Sequence, residues 1–486
     1  MMSRLNLIHV AVAMALAGCM VGPDYHRPDN KLPASYSDAG SSDANATDAS
    51  AQAGLKLDAW WESFQDPVLT ELMQKAFANN VDIAKAVARI EEADAAMREA
   101  GASLFPQIDL TSNGMRQRVT ETGAFPIMSG IPVFRENYNL QLGTSFELDF
   151  WGRLRRAREA ARAQALGTLY AKDTVSLSLS SLVASNYLLL RSVEAQIAVS
   201  RDSLKTRGES LDLTKRRLEG GVASILDVHQ AEVANSNLVA QLADLVRQRE
   251  VVQHQLAVLT GDYELKVPEG DIHQLPQPPI PPTGLPSSLL EARPDIREAE
   301  QTMISENAQI GVAKAAMFPT ITLTAAFGGE SADLSRVLES PSRIWSTGLG
   351  LNLPIFTAGR LSARVDQASA RQKQALATYQ GSIQTAFKEV RDALVTVRQS
   401  REREEALNIS QNAAKQALQI SENRYKSGYS GYLDVLDSQR VYNDAALAFI
   451  QSRQSRLTAT VDLFKALGGG WKTANAYQQP EKQASN

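Results

Sequence analysis

Proline is the residue that a helix interior tolerates least, at roughly 3 kcal/mol each. Its placement is what most limits the fold of this chain. The sequence holds 19 prolines, yet none stands between Pro132 and Pro268, or between Pro354 and Pro480. Both gaps are rich in Ala, Leu, Gln, Arg and Glu, which favour helix. Starting after Gly152 and Gly359, they predict helices over ~152–217 and ~359–426, each roughly 65 residues and about 100 Å long at ~1.5 Å per residue. No compact globule holds helices of that length. In the second tract Leu376, Tyr379, Ile383, Phe387, Val390, Leu394 and Val397 recur at three and four, one apolar seam of the coiled-coil kind.

The two tracts belong to a duplication. DFWGRLRRAREAARAQAL (149–166) lies over PIFTAGRLSARVDQASARQKQAL (354–376), and RRLEGGVASILDVHQAEV (216–233) over RYKSGYSGYLDVLDSQRV (424–441). AVLTG (257–261) lies over KALGG (465–469), and Phe105-Pro106 over Phe318-Pro319. The offset is close to 207 residues, as from Gly152 to Gly359 and from Leu226 to Leu433. The repeat is therefore the unit to explain. Repeat 1 is 59–270 and repeat 2 is 287–470, joined by a Pro-rich connector at 271–286 and followed by a tail at 471–486.

At each Phe-Pro pair a helical pattern gives way to alternation. Ile321, Leu323, Ala325 and Phe327 share one side of a strand, and threonines with Ala326 the other. Strands are expected at ~105–114, ~138–150, ~319–328 and ~345–356. The second carries Tyr138, Leu140, Leu142, Phe146, Leu148 and Phe150 on one face, and the fourth Trp345, Leu349, Leu351, Leu353 and Ile355. Strands of ~10 residues, apolar on one side and lined near their ends by Phe150, Trp151, Trp345 and Phe356, have the pattern of an outer-membrane barrel. Four strands cannot close, and open edges in hydrocarbon leave backbone groups unsatisfied at several kcal/mol each. Several chains must then share one barrel. Three would supply twelve strands, continued by a tube of helices. A soluble sandwich is the plainer alternative for four alternating strands, but it leaves the long helices unexplained.

The N-terminus points to an envelope. MMSRLNLIHVAVAMALAG has Arg4 and then an apolar run too short for a membrane helix, as a secretory signal does. The chain's single cysteine, Cys19, closes a lipobox, Leu16-Ala17-Gly18-Cys19. Residues 1–18 are expected to be removed and Cys19 to carry a covalent lipid, with Met20 giving no signal for inner-membrane retention. A lipidated tether, small, polar and acidic over much of its length, is expected over 19–58. One cysteine and five histidines exclude an internal disulfide framework and a multi-Cys metal site. A net charge of −4 gives no footprint for nucleic acid. His229 and His254 have no ligand partners at useful spacing. GGG at 468–470 reads as a helix terminator, and Arg153, Arg155, Arg156 and Arg158 as the solvated start of a helix.

With these residues in view, the chain resembles the outer membrane factors, the TolC-like components of tripartite efflux pumps, in the lipoprotein branch of nodulation-T type. The resemblance spans nearly the whole chain. It rests on Cys19 with Gly22-Pro23-Asp24-Tyr25 and Pro28, WWESFQDPVLTEL (60–72), both Phe-Pro pairs, LPSSLLEARPDIREAE (285–300), Pro354-Ile355-Phe356 with Gly359-Arg360-Leu361, and RYKSGYSGYLDVLDSQR (424–440). It implies a membrane α+β homotrimer: a 12-stranded outer-membrane β-barrel, four strands per chain, continued by a periplasmic α-helical barrel with a mixed equatorial belt. It implies no catalytic residue and no cofactor beyond the lipid on Cys19. The implied partners are outer-membrane lipid, a periplasmic adaptor (membrane fusion) protein and an inner-membrane transporter, taken as proton-driven. The implied place is the outer membrane of a Gram-negative bacterium, with most of the mass in the periplasm.

The resemblance also assigns sites. Leu433, Asp437 and Arg440 match gate positions at the periplasmic tip. Leu433 and Asp437, four apart, share a helix face, so three-fold symmetry turns each into a ring: a leucine ring narrows and dewets, and an aspartate ring adds negative potential. Arg440 stands where it can pair with Asp437. Gly220, Gly221, Gly428 and Gly431 allow tight turns, and with Arg217, Ser224 and Ser427 the tips EGGVAS and KSGYSG are expected to meet the adaptor. Ordinary capping and surface chemistry is the plainer reading of these same residues. Three functions stay open: passive export of drugs or small toxic solutes, a type I secretion duct for polypeptides, and a structural coiled-coil envelope lipoprotein.

Overall fold

The computed structural model describes residues 20–29, 57–122, 132–278 and 293–469. Its helices are α1 (Pro67–Asn79), α2 (Val81–Ala102), α3 (Arg153–Glu219), α4 (Ile225–Thr260), α5 (Pro294–Ala315), α6 (Arg360–Lys426) and α7 (Tyr432–Ala466). Its strands are β1 (Gln107–Arg118), β2 (Phe134–Leu148), β3 (Thr320–Ser331) and β4 (Arg343–Asn352). Signal peptide, Cys19, most of the tether, part of the connector and the C-terminal tail lie outside the described residues.

The two Phe-Pro junctions have one geometry. The Phe105 amide donates to Ala102 O (3.0 Å) and the Phe318 amide to Ala315 O (3.1 Å), each closing the last turn of a helix. Proline follows without a donor and the strand begins one residue later, because the residue before proline is pushed out of the helical region. Beyond the strands, α3 and α6 are each 67 residues long.

The seam of α6 differs from the one read in the sequence. Tyr379, Ile383, Val390 and Val397 are buried, but Ala375, Ala386 and Ala393 are buried in place of Leu376, Phe387 and Leu394, which are half-buried. Where helix axes approach closely, only a small side chain fits the centre line, and the larger neighbours flank it.

The sheet is antiparallel throughout, in the order β1-β2-β3-β4, so the two repeats join through β2 and β3. Its register stacks apolar residues in rows, the first across all four strands and two more across β2, β3 and β4. Leu110 faces Leu142, Leu142 faces Phe327, and Phe327 faces Trp345. Phe146, Leu323 and Leu349 form a second row, and Leu148, Ile321 and Leu351 a third. The opposite face carries Asp109, Thr111, Gln141, Ser145, Thr322, Thr324 and Ser346. Leu110, Leu142, Phe327, Trp345, Leu349 and Leu351 are all exposed. The fourth strand stops at Asn352, short of the 356 expected, because Pro354 cannot donate to a ladder.

The chain divides into two compact units that do not follow the repeats. Of the described residues, one unit takes those within 1–29, 89–168 and 299–379, and the other those within 30–88, 169–298 and 380–486. In the first unit the run after Cys19 is bound to the start of α3. The Val21 amide donates to Trp151 O (3.0 Å), and Arg156, buried, pairs with Asp24 (2.5 Å). Glu300 accepts from the Tyr25 hydroxyl (3.2 Å) and pairs with Arg27 (3.2 Å). Trp151 stacks on Phe318 and donates to Pro319 O (2.8 Å).

The second unit holds the main core. Trp60, Phe64, Leu69, Met73, Val183, Tyr187, Leu188, Leu256, Ile272, Val461 and Phe464 belong to one cluster, with Trp60 stacked on Phe464. Asp66 caps α1 by accepting from the Val68 and Leu69 amides (2.8 and 3.3 Å) and also accepts from the Tyr187 hydroxyl, tying α1 to α3.

Candidate functional site

Both helical hairpins turn in the same way. After α3, the Gly221 amide donates to Leu218 O (2.9 Å) and the Val222 amide to Arg217 O (2.9 Å). After α6, the Gly428 amide donates to Tyr425 O (3.0 Å) and the Tyr429 amide to Arg424 O (2.8 Å). These are Schellman turns, which satisfy the last carbonyls of a helix. The glycines sit at φ +73° and +80°, where a Cβ costs about 1–2 kcal/mol.

The helices that leave the turns start differently. Ser224 Oγ accepts from the Leu226 amide (3.1 Å) and Asp227 accepts from the Ser224 amide (3.0 Å), a complete capping box for α4. α7 begins at Gly431, which has no side chain to cap it.

A small core holds the two turns together. Tyr425, Tyr432, Val435 and Ala231 are buried in it. Arg217 lies over the Tyr425 ring, its guanidinium carbon 4.3 Å from the centroid. Tyr425 and Thr214 share a hydrogen bond (3.4 Å), and the Gln439 amide donates to Ser210 (3.1 Å). Burial pushes the Tyr432 phenol up to about 12. Of the expected docking residues, Ser427, Gly220, Gly221, Gly428 and Gly431 are exposed, Ser224 is exposed but engaged as a cap, and half-buried Arg217 is occupied by Tyr425. Val222 and Tyr429, the equivalent residues after the two turn glycines, are 76% and 80% exposed.

Leu433, Asp437 and Arg440 come together with α4. They line a groove of about 640 Å³, with Leu226, His229 and Val233 among the facing residues. Asp437 and Arg440 form an ion pair (2.8 Å) and Leu433 is 62% exposed. One repeat earlier, these three positions hold Leu226, Gln230 and Val233, which line the same groove. The duplication thus sets leucine against leucine, while the charged pair exists only on the second repeat. His229, read as an ordinary helix residue, lies beside Glu232 (3.3 Å) on the wall of the groove.

Sequence reasoning missed Arg207. It lines the groove from α3, is 9% exposed, donates to Ala234 O (2.9 Å) and leaves Nε unsatisfied. It has no ion-pair partner among the described residues, and burial pulls its pKa down. An arginine in a helical tract reads as solvated, so the sequence carried no signal for it. Leu226 had one: the alignment of the repeats sets it over Leu433.

Among the described residues no group of His, Cys, Asp and Glu is placed to hold a metal ion, and no helix is long and apolar enough to cross a membrane.

The chain matches the outer membrane efflux protein family over residues 72–262 and 285–469. It is 37% identical over 484 residues to the toluene efflux pump outer membrane protein TtgC of Pseudomonas putida, covering 98% of each chain. It is 33% identical over 476 residues to the cation efflux system protein CusC of Escherichia coli O6:H1, covering 97% of this chain and 100% of the relative. A crystal structure of the open state of the Neisseria gonorrhoeae MtrE outer membrane channel superposes with a TM-score of 0.81 at 30% identity, over 93% of this chain and 99% of that one.

Proposed function

The chain belongs to the outer membrane efflux protein family, and on that premise we propose that it is the outer-membrane duct of a tripartite efflux system, conducting drugs or small toxic compounds passively to the outside. The observation that carries the reading is the sheet: four strands, one apolar exposed face, one polar face, and two edges, β1 and β4. An apolar face suits hydrocarbon, but open edges do not. Three copies, edge to edge, give twelve strands around a polar lumen. The reading is that of a homotrimer, lipid-anchored at Cys19 and held against the start of α3 and against α5 by the contacts of residues 21–27, with most of its mass in the periplasm.

In this reading the duct performs no chemistry. A periplasmic adaptor protein docks on the helical turns, where Val222 and Tyr429 offer exposed apolar side chains beside Ser427. An inner-membrane transporter, proton-driven, supplies the energy. Leu433 and Asp437 become rings around the axis at the periplasmic entrance, and Arg440, paired with Asp437 within α7, stands in the same constriction. The absence of a side-chain cap at Gly431 leaves the second-repeat hairpin the easier one to move.

Single-channel recording in planar bilayers tests the reading. Purified protein should conduct, and Asp437→Ala with Arg440→Ala should raise the conductance. Conductance unchanged by the double variant would remove the gate assignment, and no conductance from the wild type would remove the duct.

A further inference from the structure

The segment between β3 and β4 turns back onto the apolar face of the sheet. Two short 3-10 turns, Leu334–Arg336 and Ser340–Ser342, carry it, the first capped by Asp333. Val337 is buried, and its carbonyl oxygen lies 1.9 Å from where a Cβ on Gly329 would stand. Glycine at 329 is what lets the segment approach. Gly329 faces Leu140 on β2 and Arg343 on β4, so it shares the face of Leu110, Leu142 and Phe327.

Between this segment and the strands lies a slot of about 200 Å³. Leu110, Leu140, Leu142, Phe327 and Leu338 line it, and among the described residues Arg343 is the one charged residue on its wall. Leu334 and Leu338 are 67% and 79% exposed on the same segment. The slot is smaller than the ~300–1,000 Å³ of sites for drug-sized solutes, and most of its strand lining comes from the apolar face of the sheet. Both facts speak against a transported solute and for a single alkyl chain.

Charge selects the head group. Arg116 pairs with Glu136 (3.1 Å), Arg118 with Glu121 (3.4 Å) and Arg336 with Glu339 (3.2 Å). Arg343 is exposed and has no ion-pair partner among the described residues. An arginine fork without a carboxylate, at the border of an apolar slot, matches a phosphate on an acyl lipid.

Resting on the channel reading above, we propose that this slot is a lipid site, seating one acyl chain of lipid A with a lipid A phosphate on Arg343. The connection lies at the end of the sheet opposite the Phe-Pro junctions with α2 and α5. In an outer-membrane duct with periplasmic helices that end meets the outer leaflet, whose phosphorylated lipid is lipid A.

Native mass spectrometry of the detergent-solubilised assembly tests this, with bisphosphorylated lipid A, its dephosphorylated form and phosphatidylglycerol as probes. Wild type should retain up to three lipid A molecules per trimer and at least fivefold less of either other probe. Arg343→Gln should lower lipid A occupancy at least fivefold, Arg343→Lys should restore most of it, and Leu338→Asp should lower it with Arg343 intact. Arg116→Gln, which removes a paired arginine, should leave it unchanged. Equal retention by wild type and Arg343→Gln would overturn the proposal, as would equal uptake of either other probe. Conductance recorded on the same samples keeps the two readings apart: wild type that conducts but binds no lipid A loses only the slot, and wild type that does not conduct loses the channel.

Discussion

Replacing Glu404 by Ala should loosen the connector between the repeats. Glu404 is a single carboxylate on α6, with a side chain 7% exposed, that pairs with Arg453 (3.1 Å) and Arg456 (2.9 Å) of α7. Arg453 in turn donates to the carbonyls of Ile272 (3.0 Å), His273 (3.2 Å) and Leu275 (2.8 Å), latching the connector to the same helix. Removing one partner of a buried pair costs about 3–5 kcal/mol, because a charge is left without compensation. Both arginines are 13–15% exposed, so the lower end, about 3 kcal/mol, applies here, and Arg453, without the carboxylate that orients it, loses its hold on the three carbonyls. At 1.4 kcal/mol per decade this is roughly a hundredfold in the local opening constant. Hydrogen exchange followed by mass spectrometry reads it directly. Amides of residues 272–275, which include the Gln274 bond to Asp271 O (3.1 Å), should exchange roughly a hundredfold faster in the variant. Exchange within threefold of wild type would show that the ion pairs do not hold the connector, and would refute the reasoning.

The two turns yield a paired test. Gly428→Ala places a Cβ at φ +80° and should cost about 1–2 kcal/mol, whereas Gly431→Ala, at φ −75°, should change stability far less; thermal melting of both variants compares them. Tyr432 gives a pH signature. Its folded-state pKa of about 12 lies above the unfolded value near 10, so its contribution is complete below pH 10 and is lost as pH rises through 12. Between pH 9 and 12 wild type should lose about 2 kcal/mol more than Tyr432→Phe, and parallel losses in the two proteins would contradict the burial of the phenol.

What was legible in the sequence was local. Proline and glycine act through their own backbone, so Phe105-Pro106, Phe318-Pro319, Gly152 and Gly359 announced element ends without any tertiary knowledge. The duplication was legible because Leu226 and Leu433 stand at equal offsets. The α6 seam was misread at Leu376, Phe387 and Leu394 because hydropathy follows large side chains, while close helix packing selects the smaller Ala375, Ala386 and Ala393. The far half of β1 was hidden by Arg116 and Arg118, which fall on the face of Ile108 and Leu110 and so break the apolar alternation. Arg217 on Tyr425, and Arg207 beneath the groove, depend on contacts between segments distant in sequence, and no local pattern reports them.

The central claim is that β1 and β4 are edges completed by other copies of the chain. Cysteine pairs test it most directly: Thr111→Cys on β1 with a scan of single cysteines from Ile344 to Gly350 on β4, oxidised in mild detergent. A disulfide needs α-carbons about 4.4–6.8 Å apart, so it forms only where the two strands are neighbours. The account predicts that one register gives covalent dimers and trimers, ending at three. Monomers at every register, or a ladder continuing past three, would contradict it.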